Sequence, residues 1–190
     1  MSLSVYGDLD VSFIKGMPPG RHPVKTYVVG SHMLQRIFRF MKKEMESGHQ
    51  AYVVCPLVEQ SEKQDLAAAV SVYENLRDHV FPQFGVGLVH GRMKNAEKEQ
   101  VMEDFRKGKF KLLVATSVIE VGVNVPDATV MFVYGADRFG LSQLHQLRGR
   151  VGRGSKESYC FLLSESDSKT AKERLSILCS TTDGFKIAER

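Results

Sequence analysis

The chain has no tryptophan, only three cysteines and only six prolines in 190 residues. Cys55, Cys160 and Cys179 are far apart, odd in number and mostly in apolar surroundings. That argues against a disulfide framework and reads as reduced core residues of a cytoplasmic protein. The six histidines show no ligand spacing, so no metal site is expected. No run approaches a transmembrane length and no signal-peptide pattern is present, so no membrane partner is expected. The phosphate cradle G-x-x-x-x-G-K-[ST] is absent: Gly108-Lys109 lacks both the preceding glycine and the following hydroxyl. No strand-like run ends in Asp-Glu to hold magnesium. Without these parts the chain is not expected to hydrolyse a nucleotide alone. Charge alone names no partner. The 26 Lys and Arg against 22 Asp and Glu leave +4, compatible with nucleic acid without pointing to it.

What is present is an alternation. Apolar runs at Val24 to Val29, Gln50 to Cys55, Val86 to Val89, Lys111 to Ala115, Thr129 to Tyr134 and Glu157 to Leu163 read as strands. Between them lie helical stripes. Ser31 is placed to cap a helix to Ser47, with Leu34, Ile37, Phe38, Met41 and Met45 on one face. Ser61-Glu62-Lys63-Gln64 has a capping-box pattern opening a helix to His79. Asn95 is read as the cap of a third helix, and two more run from Gly140 and from Ser168 to Cys179. Strands alternating with helices predict an α/β fold, a mostly parallel sheet covered by helices on both faces. Ligands in such folds bind beyond the carboxyl ends of the strands. That directs attention to the loops at Pro56 to Gln60, His90 to Lys94, Thr116 to Pro126 and Gly135 to Phe139.

One stretch stands apart. Ser142 to Gly154 reads SQLHQLRGRVGRG, with Arg148, Arg150 and Arg153 spaced by Gly149, Gly152 and Gly154. The glycines end a helix and turn the backbone. Guanidinium forks at such a turn suit a phosphate, although a generic basic turn is simply solvated. Thr116 and Ser117 follow a strand and fit either a phosphate site or an ordinary N-cap. Gly122 permits close backbone approach, and Asn124 fits either a ligand contact or a turn. His90 to Lys94 taken alone reads as a solvated basic loop. Glu59 and Ser61 favour the following helix N-terminus. Met17-Pro18-Pro19-Gly20-Arg21 reads as a rigid connector.

Three stretches together carry a family resemblance. QLHQLRGRVGR resembles motif VI of superfamily 2 helicases, and LLVATSVIEVGVNVPDAT resembles motif V. LVHGRMKNAEKEQVMEDFRKGK resembles the segment between motifs IV and V. The resemblance covers nearly the whole chain and implies the second RecA-like motor domain, a three-layer α/β unit, of an ATP-dependent DNA helicase. It is nearest to the bacterial branch that remodels stalled forks and Holliday junctions. VCPLVEQSEKQDLAAA and the MPPGRHPVKT connector separate it from the transcription-repair coupling branch, which shares DRFGL and the arginine run.

The family implies roles at matching positions. Arg150 and Arg153 resemble arginine fingers for the γ-phosphate of ATP, with Gln146 lining the same cleft. Asn124 stands where relatives have an aspartate facing the ribose, and Gly122 belongs to the same nucleotide-facing stretch. Thr116, Gly91, Arg92 and Lys94 resemble DNA-backbone contacts. Arg148 resembles a coupling residue toward the segment beyond. The implied domains are a leader and connector over 1–23, the motor domain over 24–166 and the start of a helical extension over 167–190. The implied partners are branched DNA, the wedge domain and the first motor domain, which carries magnesium. The chain is thus expected to be a fragment. A module that binds without turnover is the rival; the spacing of Arg150, Gly152 and Arg153 argues against it.

Overall fold

The computed structural model describes residues 23–57, 62–116 and 124–180, and in it the apolar runs are strands. They are β1 (Lys25–Val29), β2 (Gln50–Cys55), β3 (Val86–Val89), β4 (Leu112–Thr116), β5 (Ala128–Val133) and β6 (Tyr159–Leu163). The helices are α1 (Leu34–Glu46), α2 (Glu62–Asn75), α3 (Asn95–Arg106), α4 (Leu141–Arg148) and α5 (Lys169–Ser180). The strands form one six-stranded sheet in the order β1-β6-β5-β2-β4-β3, parallel throughout.

Residues alternate between the two faces of each strand, and both faces are sealed. Tyr52, Val54, Leu113, Met131, Val133 and Leu162 pack with residues of α3, α4 and α5. Ala51, Val53, Val114, Val130 and Phe132 pack with residues of α1 and α2. β2, β4 and β5 are therefore buried at every position. Phe105 of α3 is fully buried edge-on to Tyr52, with ring centroids 5.1 Å apart. Buried Gln50 is satisfied by donating to the Phe105 carbonyl at 2.6 Å. Leu175 and Leu178 of α5 join the same core.

Three local expectations need correction. Ser31 opens a short 3₁₀ turn (Ser31–Met33) rather than capping α1, and its hydroxyl donates to Glu165 at 3.3 Å. The third helix is capped at Lys94, not Asn95; the Glu97 carboxylate accepts from the Lys94 N–H at 2.9 Å. Cys55 and Cys160 are buried, but Cys179, near the end of α5, is exposed. The expectations for Glu59, Ser61, Ser117, Gly122 and the 1–22 connector lie outside the described residues.

Removing the Phe105 ring leaves a cavity against Tyr52. Phe105→Ala is predicted to lower unfolding free energy by about 3–5 kcal/mol in denaturant titration; a loss under about 1 kcal/mol would show that the site collapses around the gap. Burial also pushes the Cys55 and Cys160 thiols up to about 12. The folded state holds them neutral while the unfolded chain ionises near pH 9. Their contribution is thus complete below pH 9 and is lost as pH rises toward 12. Stability measured from pH 8 to 11 should fall, and Cys160→Ala should flatten that slope.

Candidate functional site

With every strand parallel and both faces sealed, the exposed chemistry gathers at two edges of the sheet. Each helix returns the chain from the carboxyl edge to the amino edge. α4 begins at Gly140, whose N–H donates to the Gln143 side chain at 2.9 Å. It ends at Arg148 and delivers the arginine run to the amino edge. There the backbone turns: the Arg150 N–H donates to the Leu147 carbonyl at 3.0 Å, and Gly152 has φ +77°. Arg153 closes the turn by donating from Nε to the Gly149 carbonyl at 2.9 Å. Gly154 lies so close to the start of β5 that a Cβ there would be 2.5 Å from the Pro126 carbonyl oxygen. No other residue type fits that approach without a backbone shift.

The amino edge therefore brings together Arg150, Arg153 and Asn124, the last exposed just before Val125 and Pro126. Arg150 is half-buried and Arg153 exposed. Their positive charge reaches β2. Burial pushes the Tyr52 phenol up to about 12, and both arginines pull against that rise. Gln146 is exposed on the last turn of α4. Asn124 and the arginine turn thus lie at the edge opposite the ends of β3, β4 and β5. The Thr116 to Pro126 connection runs from one edge to the other, because β5 is parallel to β4 and must be entered from the amino side.

The carboxyl edge carries a different set. Thr116 ends β4 with 1 % of its surface exposed, and its Oγ1 has no hydrogen-bond partner among the described residues. Beside it, after β3, the His90 to Lys94 loop folds on itself. The Arg92 N–H donates to His90 Nδ1 at 3.2 Å and the Met93 N–H to the His90 carbonyl at 3.2 Å. Gly91, Arg92 and Lys94 are all exposed. Arg92 pairs with Glu62 of α2 at 3.1 Å. Farther along, Arg138 of the β5–α4 loop approaches Asp65 of α2 at 3.7 Å. Arg138 was not singled out in the sequence. It lies within DRFGL, which carried no assigned role, and its partner is over seventy residues away.

Arg148 belongs to neither edge. It is buried at 4 % exposure, and that burial lowers its pKa. Its guanidinium donates to the Leu178 carbonyl of α5 and to Thr26 Oγ1 of β1 at 3.4 Å. It also lies 3.3 Å from His145 Nδ1. One side chain so ties the end of α4 to α5 and to the first strand.

Comparison with known proteins agrees with this architecture. Residues 31–155 match the family described as helicase conserved C-terminal domain. The chain is 50% identical over its whole length to the ATP-dependent DNA helicase RecG of Bacillus subtilis (strain 168), covering 28% of that protein. It is also 50% identical to RecG of Thermotoga maritima, covering 24% of it. The chain thus spans about a quarter of the length of these relatives. A solved structure of RecG bound to a three-way DNA junction superposes with a TM-score of 0.79 at 47% identity, covering 99% of this chain and 24% of that one. The second domain of the DEAD-box helicase Mss116p, solved on an RNA duplex, matches with a TM-score of 0.62 at 17% identity over 83% of this chain and 61% of that one. That likeness shows the shared RecA-like fold. Among the described residues no helix is long and apolar enough to cross a membrane.

Arg148→Met should test the buried tie. It leaves the Leu178 carbonyl without its guanidinium donor, a loss worth about 1–3 kcal/mol of stability. Amide exchange in α5 should speed up more than in β2; uniform acceleration would mean that Arg148 does not anchor α5 in particular.

Proposed function

The chain belongs to the helicase conserved C-terminal domain family, and from that premise we propose that it is the second motor domain of an ATP-dependent DNA helicase that remodels branched DNA at stalled forks and Holliday junctions. The observation that carries this reading is the division of labour between edges. Arg150, Arg153 and Asn124 sit at the amino edge, and Thr116, Gly91, Arg92 and Lys94 sit at the carboxyl edge.

The amino edge suits ATP. Two guanidinium groups, rigidly placed by the Gly152 turn and the Gly154 contact, take phosphate oxygens in forks. Asn124 offers a ribose hydroxyl both a donor and an acceptor. Gln146 lines the same cleft. The chain carries no phosphate cradle, so the nucleotide and its magnesium are held by a first motor domain facing this edge. When bound, ATP supplies the concentrated negative charge across that cleft. Arg150 and Arg153 meet it only when the cleft is closed, so they favour closure and stabilise charge developing in transfer.

The carboxyl edge suits DNA. Thr116, the backbone at Gly91, and the Arg92 and Lys94 side chains offer donors and positive charge to phosphates without reading bases. Arg148, through α5, carries closure to the helical segment beyond. Closing and opening one edge while the other grips moves the protein along DNA. The partners are branched DNA and, in the same polypeptide, the first motor and wedge domains; the setting is cytoplasmic. The isolated chain is inactive.

Two substitutions in the full-length polypeptide separate the edges. Arg153→Ala should depress ATP hydrolysis with and without DNA. Thr116→Ala should weaken stimulation by DNA while leaving nucleotide affinity within about twofold of wild type. A selective loss of nucleotide binding in Thr116→Ala would contradict the assignment of edges. Turnover above background by the isolated chain would contradict the half-motor reading.

A further inference from the structure

Four features stand in a row along the carboxyl edge, following the strand order β5-β2-β4-β3. Arg138 follows β5 and Arg92 follows β3. Between them come the first turn of α2, which follows β2, and the Thr116 hydroxyl at the end of β4. Three strand intervals of about 4.8 Å make the row about 14 Å long.

The pairing within the row is regular. Both arginines are engaged by carboxylates of the same helical turn: Arg92 by Glu62 at 3.1 Å and Arg138 by Asp65 at 3.7 Å. Both guanidinium groups remain half exposed, at 54 % each, so neither is held by burial. The longer contact is not a tight bidentate fork. Arg92–Glu62 is exposed on both sides and weak, Arg138–Asp65 is long although Asp65 itself is buried, and a phosphate with more charge and more oxygens competes for both arginines. The row also holds a buried hydroxyl, Thr116 Oγ1, with no partner among the described residues. A cavity of about 290 Å³ opens next to Arg138, lined by Pro56, Asp65, Tyr134 and Asp137, and leaves that arginine room to swing.

We infer that Arg138 is a further DNA-backbone contact, and that Glu62 and Asp65 are built-in counter-ions that occupy Arg92 and Arg138 until DNA phosphates replace them. The inference rests on the reading of this edge as the DNA side. Its consequence is a weakened resting grip. Each of these two arginine contacts displaces an intramolecular ion pair, so the edge holds DNA less tightly than its arginines alone would. Release at each step is correspondingly easy.

The test measures the affinity of the full-length polypeptide for a fork DNA across a salt series. Arg138→Ala should flatten the slope of log affinity against log salt by about 0.9, as Arg92→Ala does, the share of one phosphate contact. Arg138→Lys should keep the slope. Glu62→Gln and Asp65→Asn should each raise affinity about two- to fivefold. Glu62 is exposed enough that its variant folds whatever happens at Asp65. If Arg92→Ala flattens the slope and Arg138→Ala does not, the contact is overturned while the DNA reading of the edge stands. If neither does, that reading falls and takes the inference with it. If Arg138→Ala flattens the slope but both carboxylate variants leave affinity unchanged or lower, the counter-ion role is overturned.

Discussion

Parallel pairing of six strands is the constraint on which everything else rests. A parallel sheet needs a crossover for each added strand; α1, α2, α3 and α4 lie in such crossovers and, with α5, seal both faces. Once β2, β4 and β5 are buried throughout, no face is left for chemistry. Function is confined to the edges, where strands begin and end. Because all strands run one way, one edge holds only strand starts and the other only strand ends. A protein built this way has two chemically independent rims about one strand length apart.

What sits on each rim follows from how the connections run. Thr116 is at the carboxyl rim because it ends β4; Asn124 is at the amino rim because the next strand must be entered from there. α4 carries the arginine turn across the sheet for the same reason. Two contacts then fix that turn: Gly154 against the Pro126 carbonyl, and buried Arg148 against α5. A shift at the arginine turn is felt at α5 through a single guanidinium. In the proposed motor, this contact is the route by which a change at one rim reaches α5.

Much of this was legible in the residues. Apolar runs such as QAYVVC marked doubly covered strands, and the spacing of Leu34, Ile37, Met41 and Met45 marked the buried stripe of α1. Gly152 and Gly154 marked the turn that positions the arginines. What local pattern did not give was spatial. The rule that ligands gather at carboxyl ends put every interesting loop on one side, whereas the parallel order places Asn124 and the arginine turn on the other. Asn95 looked like a cap, yet the Glu97 carboxylate satisfies the Lys94 N–H one residue earlier. The links of Arg138 to Asp65 and of Arg148 to Leu178 join distant parts of the chain, and nothing periodic announces them.

The central claim is that Arg150 acts across the cleft on a nucleotide held by another domain. The most direct measurement is fork-DNA-stimulated ATP hydrolysis by the full-length polypeptide, wild type against Arg150→Ala, with nucleotide affinity measured alongside. An arginine finger accounts for about 10³–10⁵ in rate. A loss approaching that size with binding retained is the predicted result. Near-normal turnover would contradict it, and the chain would then be a module that binds without driving a motor.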